Sequence, residues 1–342
     1  MSRREVALKI KAVIGFNGKV ANSLHYTPCG RYIVYPLGSF VVLKNVRTDK
    51  EAFLEGHTRD ISCVTVSHDG TKCASGQNNI TGVKADVVVW DLSSAMAKLE
   101  AGEVMLGDSV LIHRLRQHLG RVQDVAFSCH DDFLASMGGQ DDNAIVVWSL
   151  AHGSAVCGGS AGMDSGMALK WHNTRNDRFV SAGNFHVRVW QIDFSLPKLT
   201  AVDVKLGTAR RIVVGLAIDN ADKYCYCGTT TGDILKVAIE RDEIRAFNDP
   251  DTVVPQMVGI TKERFTGGIK ALLCVTNPTT GNSNLLVGAG DGSIVYINPS
   301  LKTVGGLKTC LMGGITSLSL HPGGEKFIAG TAQCNRYEVI HV

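Results

Sequence analysis

The stretch DVVVWD at residues 86–91 sets the pattern of the chain, because two later stretches repeat it almost unchanged. Residues 144–149 read AIVVWS and residues 186–191 read HVRVWQ, so each is a β-branched run closed by a tryptophan. β-Branched side chains favour extended backbone, since they pack well on a pleated surface. The three stretches therefore predict three equivalent β-strands.

Two further strand-like runs come before each of these strands. The nearer run ends in small residues, as in CASG at 73–76, LASMG at 134–138 and FVSAG at 179–183. The earlier run ends in a polar turn, such as HDG at 68–70 or HDD at 130–132. Short runs bounded by turn residues at regular spacing are typical of all-β proteins, so each unit holds at least three strands.

Weaker copies of the closing strand extend the series in both directions, with an aliphatic residue in place of the tryptophan. The seven closing positions are 43, 90, 148, 190, 237, 297 and 339, and the steps between them run from 42 to 60 residues. Most steps lie near the length of about 40–45 residues that a four-stranded propeller blade needs. We therefore predict an all-β fold, a seven-bladed WD-repeat β-propeller that occupies residues 1–342 as one domain.

The last unit supplies three strands, and the apolar run at residues 7–14 belongs to no other unit. We expect this N-terminal strand to complete the last blade and close the ring, because closure removes an exposed sheet edge.

Composition narrows the choice of partners and compartment. The 35 Lys and Arg residues nearly balance the 32 Asp and Glu residues, leaving a formal net charge of +3 with no block of like charges. Neither nucleic acid nor a membrane is therefore expected as a partner. The ten cysteines lie mostly in apolar strand-like runs and show no CxxC pair, and residues 1–11 lack an apolar signal segment. A monomer in a reducing cytoplasm, with no cofactor and no metal, is expected.

A buried hydrogen-bond network is predicted inside the blades, because a buried imidazole needs partners for both nitrogens and a Ser and an Asp can supply them. The order of a His before the first strand, a Ser in the second, an Asp in the next turn and a closing Trp is matched by these residues: His57, Ser75, Trp90, His118, Ser136, Asp142, Trp148 and Trp190. A Ser–His–Asp hydrolase is the competing interpretation, but the GxSxG motif is missing and the repeat accounts for every member. We assign the eight residues a structural role and no catalytic one.

Two other motifs are better explained as turns. GTTTGDIL at residues 228–235 lacks the GK[ST] ending of a phosphate loop and lies between two strands. GQDDN at residues 139–143 is rich in oxygen ligands but too short for an EF-hand.

Motifs in and between the blades together resemble the cilia- and flagella-associated protein 52 family, also called WD-repeat protein 16, over essentially the whole chain. They are AVIGFNG at 12–18, YPLG at 35–38, LEGH at 54–57, ASGQ at 74–77, KAD at 84–86, GTTTGDIL at 228–235 and GGITS at 313–317.

This resemblance implies a non-enzymatic microtubule inner protein of the ciliary or flagellar axoneme, bound to α- and β-tubulin and to neighbouring inner proteins in the lumen of the doublet B-tubule. Because members of that family carry two tandem propellers, the chain would correspond to the first. The insertions at residues 78–84, 93–108 and 241–266 are expected to be either contact loops or solvated loops. Two alternatives remain open, a soluble adaptor that binds peptides at the central channel and a metal-dependent propeller enzyme.

Overall fold

The computed structural model describes residues 18–162, 164–240, 254–276, 283–306, 310–324, 326–333 and 337–341. In this part of the chain the strands form seven sheets, each built mainly from antiparallel neighbours that are consecutive along the sequence. The architecture is a WD-repeat β-propeller, as the repeats predicted. Each of the seven predicted closing positions lies in the third strand of its blade.

The first two blades share an insertion. Blade 1 contains β1 (His25–Tyr26), β2 (Tyr32–Leu37), β3 (Phe40–Asn45), β4 (Glu51–Glu55) and the outermost strand β8 (Met105–Leu106). Blade 2 contains β5 (Ile61–Val66), β6 (Lys72–Gln77), β7 (Lys84–Asp91) and β9 (Leu111–Leu119). Between β7 and β9 the chain forms helix α1 (Leu92–Glu100), then β8, then a 3₁₀ turn (Asp108–Val110).

The middle three blades have the simple four-stranded order. Blade 3 holds β10 (Val122–Phe127), β11 (Phe133–Gly138), β12 (Ala144–Ser149) and β13 (Ser154–Ser160). Blade 4 holds β14 (Gly166–Trp171), β15 (Arg178–Gly183), β16 (Val187–Asp193) and β17 (Lys198–Asp203). Blade 5 holds β18 (Val213–Ile218), β19 (Tyr224–Thr229), β20 (Ile234–Ala238) and β21 (Gln256–Ile260).

The last two blades end the described chain. Blade 6 holds β22 (Ile269–Thr276), β23 (Ser283–Ala289), β24 (Ile294–Ile297) and β25 (Thr303–Gly306). Blade 7 holds β26 (Ile315–Leu320), β27 (Lys326–Thr331) and β28 (Tyr337–His341). The strand predicted at residues 7–14 lies outside the described residues, so its pairing with blade 7 stays a prediction.

The hydrophobic core lies between neighbouring blades, where apolar side chains of two sheets pack face to face. One cluster joins each successive pair, and the cluster of Leu24, Tyr26, Phe53 and Ile328 joins blade 7 to blade 1. The same junction carries hydrogen bonds, since Asn22 N donates to Thr316 O at 2.9 Å. The inner strands therefore contact one another round the whole ring.

Two glycines near the ends of second strands have a packing role between blades. A Cβ at Gly76 of β6 would overlap Val122 at the start of blade 3, and a Cβ at Gly288 of β23 would overlap Ile315 at the start of blade 7. At these positions the inner strand of the next blade comes too close for any side chain. The glycines thus set how tightly consecutive sheets can approach.

Candidate functional site

Blade 3 contains the most complete of the predicted hydrogen-bond networks. Trp148 Nε1 donates to Ser136 Oγ at 2.7 Å, and Ser136 Oγ lies 2.7 Å from His118 Nε2. On its other side His118 Nδ1 lies 2.5 Å from Asp142 Oδ2. Because Asp142 can only accept, the proton of the imidazole lies on Nδ1. Ser136, which accepts from Trp148, then donates its own proton to Nε2. The chain of bonds connects the outermost strand of blade 2, two strands of blade 3 and the turn between those two strands.

Blade 2 carries a variant without the aspartate. His57 Nε2 lies 2.6 Å from Ser75 Oγ, which also accepts from Trp90 Nε1 at 2.8 Å. His57 Nδ1 lies 3.2 Å from Gln77 Oε1, so an amide stands where blade 3 has a carboxylate. Burial lowers the pKa of His57 to about 4, with the Gln77 bond opposing that shift. The imidazole is therefore neutral at physiological pH.

Blade 4 retains only the last link of the network. Trp190 Nε1 donates to Ser181 Oγ at 2.8 Å, and its ring stacks on Phe179 with centroids 5.8 Å apart. The structure thus brings together His57, Ser75 and Trp90 in blade 2 and His118, Ser136, Asp142 and Trp148 in blade 3, and it places Trp190 with Ser181. That these groups stabilise the blades remains our proposal.

The serine hydroxyls of these networks are poorly placed for nucleophilic chemistry. Ser75 and Ser136 are fully buried, and each oxygen already contacts an indole nitrogen and an imidazole nitrogen. A nucleophile must reach a substrate carbonyl, which a hydroxyl enclosed between two strands cannot do. The geometry is that of a satisfied polar core.

Sequence reasoning missed a carboxylate pairing in blade 2. Asp86 accepts from Arg114 Nη1 at 2.6 Å and from Arg116 Nε at 2.7 Å, and Arg114 also donates to Gly56 O at 2.8 Å. Asp86 is partly desolvated, but the two guanidinium groups hold its pKa below the usual value. The sequence shows only part of this signal: Arg114 and Arg116 are two apart on a strand and so point to the same face, but the structure alone shows that this strand neighbours β7.

Carboxylates also connect consecutive blades, and the sequence motifs did not predict these contacts. Asp131 of blade 3 accepts from the backbone nitrogens of His68 at 3.0 Å and Asp69 at 2.9 Å in blade 2. Asp222 of blade 5 accepts in the same way from Asn173 N at 2.7 Å and Thr174 N at 2.8 Å in blade 4. We call these contacts the inter-blade latches. Asp131 and Asp222 both have positive φ, at 59° and 55°, a conformation that aspartate tolerates better than most residues.

The two motifs interpreted as turns lie in turns. Gly232 has φ 85° between β19 and β20, and the carboxylate of Asp233 accepts from Thr229, Thr231 and Arg211, the last at 2.7 Å. At residues 139–143, Asp142 faces His118 and Asp141 accepts from Thr81 Oγ1 at 2.7 Å. Among the residues that the structure describes, no group of three His, Cys, Asp or Glu side chains is close enough to hold a metal ion.

The central channel contains a cavity of about 160 Å³ between the inner strands. Asp124 lies on its wall and accepts from Leu169 N at 2.8 Å and Val125 N at 2.9 Å, and burial raises its pKa to about 7. His25 lies on the same wall, where burial lowers its pKa to about 4. Among the described residues lining the cavity, Asp124 is the one carboxylate, and none is Phe, Tyr or Trp.

The insertion at residues 93–108 differs from the expected loop. Asp91 Oδ1 accepts from Ser94 N at 2.9 Å and caps α1, whose residues Leu92, Ala95 and Leu99 are buried in the core shared by blades 1 and 2. Strand β8 then pairs with β4 of blade 1 in parallel, whereas the other paired strands of the described chain run antiparallel. An apolar face repeated every three or four residues, at 92, 95 and 99, was the signal that sequence reasoning overlooked.

Of the other two insertions, the structure describes the first completely and the second only in part. Residues 78–83 form an ordered loop between β6 and β7, with Ile80 and Val83 exposed. Residues 241–253 lie outside the described chain, and the next described strand, β21, is the ordinary fourth strand of blade 5. Within the described ranges, helix α1 and every other helical segment are too short or too polar to cross a membrane.

Comparison with known proteins places these features in a family. The family described as "WD domain, G-beta repeat" matches residues 48–91 and 109–149. Proteins named "Cilia- and flagella-associated protein 52" are 39% identical in Chlamydomonas reinhardtii, 38% in Mus musculus and 36% in Homo sapiens, each over 336 residues and 97% of this chain. The chain spans about half the length of these relatives, 49% of each. The resemblance found in the sequence is confirmed, and the chain is a WD-repeat homologue of the cilia- and flagella-associated protein 52 family.

Proposed function

We propose that the chain is a non-enzymatic structural component of the ciliary or flagellar axoneme, a microtubule inner protein that binds α- and β-tubulin and neighbouring inner proteins in the lumen of the doublet B-tubule. The observation that carries the proposal is the match, along 97% of the chain, to relatives whose name associates them with cilia and flagella. We further propose that the described blades belong to one propeller, the first of two in tandem.

The fold supports a structural role because it offers broad rigid surfaces. Clusters of buried side chains join each blade to the next, and the latches of Asp131 and Asp222 connect consecutive turns. A rigid partner loses little conformational entropy on binding, which favours stable contact with a regular lattice. The near-neutral net charge of +3 suits contact by shape more than by bulk electrostatic attraction.

The polar groups in the blades support a non-enzymatic role. The Ser, His and Asp side chains that could form a nucleophilic triad are enclosed by their own hydrogen bonds in blades 2 and 3. The channel offers Asp124 with two backbone donors, which is the environment of a structural carboxylate. These groups therefore stabilise the protein rather than act on a substrate.

The proposal is tested by locating the protein in a ciliated cell of its source. Axonemes are stripped of membrane and matrix, and the tagged chain is quantified in the axonemal and soluble fractions. Subtomogram averaging of doublets with and without the gene then identifies the density that is lost. We expect the chain in the axonemal fraction and a ring-shaped density on the inner wall of the B-tubule.

A soluble adaptor predicts a different result in both measurements. An adaptor would remain in the soluble fraction with a stable partner and without tubulin, and the two averages would be identical. Either result contradicts the proposed structural role.

A further inference from the structure

His172 lies at the junction of blades 4 and 5, and neither of its ring nitrogens is hydrogen-bonded to another group of the described chain. The residue follows β14, and its side chain is 0% exposed. Its Nδ1 lies 3.9 Å from Asp222 Oδ2 and 4.0 Å from Glu240 Oε1, and both separations exceed the length of a hydrogen bond. The imidazole is therefore buried beside polar groups without a direct bond to them.

Two neighbouring polar atoms, Glu240 Oε1 and Arg178 Nε, also lack a hydrogen-bond partner within the described ranges. Arg178 Nη1 lies 3.5 Å from the same Glu240 oxygen, and Arg178 O accepts from His172 N at 3.1 Å, so the three residues form one group. Buried polar atoms are nearly always hydrogen-bonded, because an unpaired one loses its hydration without compensation. Several of them in one place indicate that a bound molecule completes their bonds.

The protonation state of His172 follows from its surroundings. Burial lowers its pKa to about 4, the carboxylates of Asp222 and Asp177 oppose that shift, and Arg178 and Arg175 reinforce it. The ring is therefore neutral at physiological pH and offers one N–H and one lone pair. The negative charge of Asp222 favours the proton on Nδ1, so Nδ1 is a donor that faces the group.

Asp222 is not available to complete these bonds. Its Oδ1 accepts from Asn173 N and Nδ2, and its Oδ2 accepts from Thr174 N and Oγ1, so each oxygen already has two donors. A carboxylate oxygen has about two lone pairs with which to accept. The atoms that still need a partner are therefore two donors, His172 Nδ1 and Arg178 Nε, and one acceptor, Glu240 Oε1.

The chemistry of these three atoms selects the molecule that binds. It must accept from two donors and donate to one acceptor, which water does, whereas neither a metal cation nor an ammonium ion can accept a hydrogen bond. A zinc ion binds its ligands at about 2.0–2.2 Å, so two ligand atoms of a tetrahedral site lie about 3.4 Å apart, closer than the 4.0 Å between His172 Nδ1 and Glu240 Oε1. An anion is disfavoured by the charges of Glu240 and Asp222.

We propose that a buried water molecule binds between blades 4 and 5, where it accepts from His172 Nδ1 and Arg178 Nε and donates to Glu240 Oε1. Three hydrogen bonds are typical of a buried water. The site lies beside the latch of Asp222, so the same junction is held by direct bonds and by a water-mediated contact. The inference concerns the blades alone and does not depend on the proposed axonemal role.

A crystal structure of the full chain at about 1.5 Å resolution tests the proposal. We expect a spherical density peak at about 2.6–3.2 Å from His172 Nδ1, Arg178 Nε and Glu240 Oε1. His118 is the internal control, because both of its ring nitrogens are paired within the protein and should have no water at that distance.

A matched pair of substitutions at Glu240 removes or keeps the acceptor. Glu240→Leu has no oxygen to receive the proton of the water, whereas Glu240→Gln keeps a carbonyl oxygen at the same place. The Glu240 side chain is 25% exposed, so both variants should fold. We expect the occupancy of the water to fall at least about threefold in Glu240→Leu and to stay within about a fifth of the wild-type value in Glu240→Gln.

Long-range ¹H–¹⁵N NMR of the His172 ring gives a second readout in solution, and we expect the Nδ1–H tautomer at neutral pH. The inference is overturned if no peak lies within hydrogen-bond distance of His172 Nδ1, if the peak has the anomalous signal of a metal, or if both Glu240 variants keep the water equally. An Nε2–H tautomer or an imidazolium ion would contradict it as well.

Discussion

Asp222 Oδ2 in blade 5 lies 2.8 Å from the backbone nitrogen of Thr174 in blade 4, so a side chain of one blade completes a turn of its neighbour. The same carboxylate also accepts from Asn173 N at 2.7 Å. Two backbone amides of blade 4 thus take their acceptor from one residue of blade 5.

We expect Asp222→Ala to lower the free energy of unfolding by about 2–4 kcal/mol. The substitution leaves the two amides without an acceptor, and it puts an alanine, which tolerates positive φ poorly, at this position. Asp222→Gly removes the backbone strain but not the loss of the hydrogen bonds, so it should cost less than Asp222→Ala and still more than roughly 1 kcal/mol. Urea denaturation measures both. Asp164→Ala, at an exposed position, is the control, and equal effects at positions 164 and 222 would contradict the latch.

The serine of blade 3 should matter more than its counterpart in blade 4. Ser136→Ala leaves both Trp148 Nε1 and His118 Nε2 without a partner, whereas Ser181→Ala affects only Trp190 Nε1. We expect losses of about 3 kcal/mol for Ser136→Ala and about 1–2 kcal/mol for Ser181→Ala. Denaturation of the two variants beside Ser154→Ala, an exposed control, measures the difference, and the reverse order would refute the network assignment.

His57 should make stability depend on pH. Burial lowers its pKa to about 4 from an ordinary 6.5, so between these values the unfolded chain binds a proton that the folded chain does not. The contribution of His57 to the free energy of unfolding is complete above a pH of about 6.5. It falls by about 1.4 kcal/mol per pH unit as the pH decreases toward about 4. His57→Gln abolishes that contribution.

The destabilisation caused by His57→Gln should therefore be smaller at about pH 5 than at about pH 7.5, by about 2 kcal/mol. Denaturation of wild type and variant at both pH values measures this change, with Ser154→Ala as the baseline. A difference that stays constant or grows on acidification would show that the imidazole is charged in the folded state.

Helix α1 should stabilise blades 1 and 2. Leu99 is 2% exposed and packs in the core that these blades share, so we expect Leu99→Ala to cost about 2–5 kcal/mol. Ser93→Ala, on the exposed side of the same helix, should stay within about 0.5 kcal/mol of wild type. Limited proteolysis gives a second readout, because loosening of α1 should expose residues 92–106 to cleavage while the other blades resist.

The strands were predictable because their signal is local. Runs such as DVVVWD closed by Trp90 carry both β propensity and a repeat period, and each repeat supplies one sheet. Similarly, the order His118, Ser136, Asp142 and Trp148 could be found in sequence because each member has a fixed place in the unit. The apolar face of α1 was overlooked because the repeat period indicated only that residues 93–108 are an insertion into the repeat, and not what structure they form.

The contacts between blades were harder to predict. Asp131 and Asp222 reach backbone amides 48 or more residues away, and a backbone donor has no side chain to mark it in the sequence. Asp86 and its two arginines depend on which strand neighbours which, and this is a property of the fold rather than of the motif. The exposed setting of Ile80 and Val83 likewise comes from the loop's hydrogen bonds and not from its composition.

The parallel pairing of β8 with β4 constrains how the chain is made. A ribosome delivers β4 well before it delivers residues 105–106, and three strands of blade 2 are synthesised in between. Blade 1 therefore cannot be finished until β7 and α1 have left the exit tunnel, and β9 must then return to blade 2. The first two blades therefore fold as a single unit. We expect nascent chains that end between β4 and β9 to be recognised as incompletely folded.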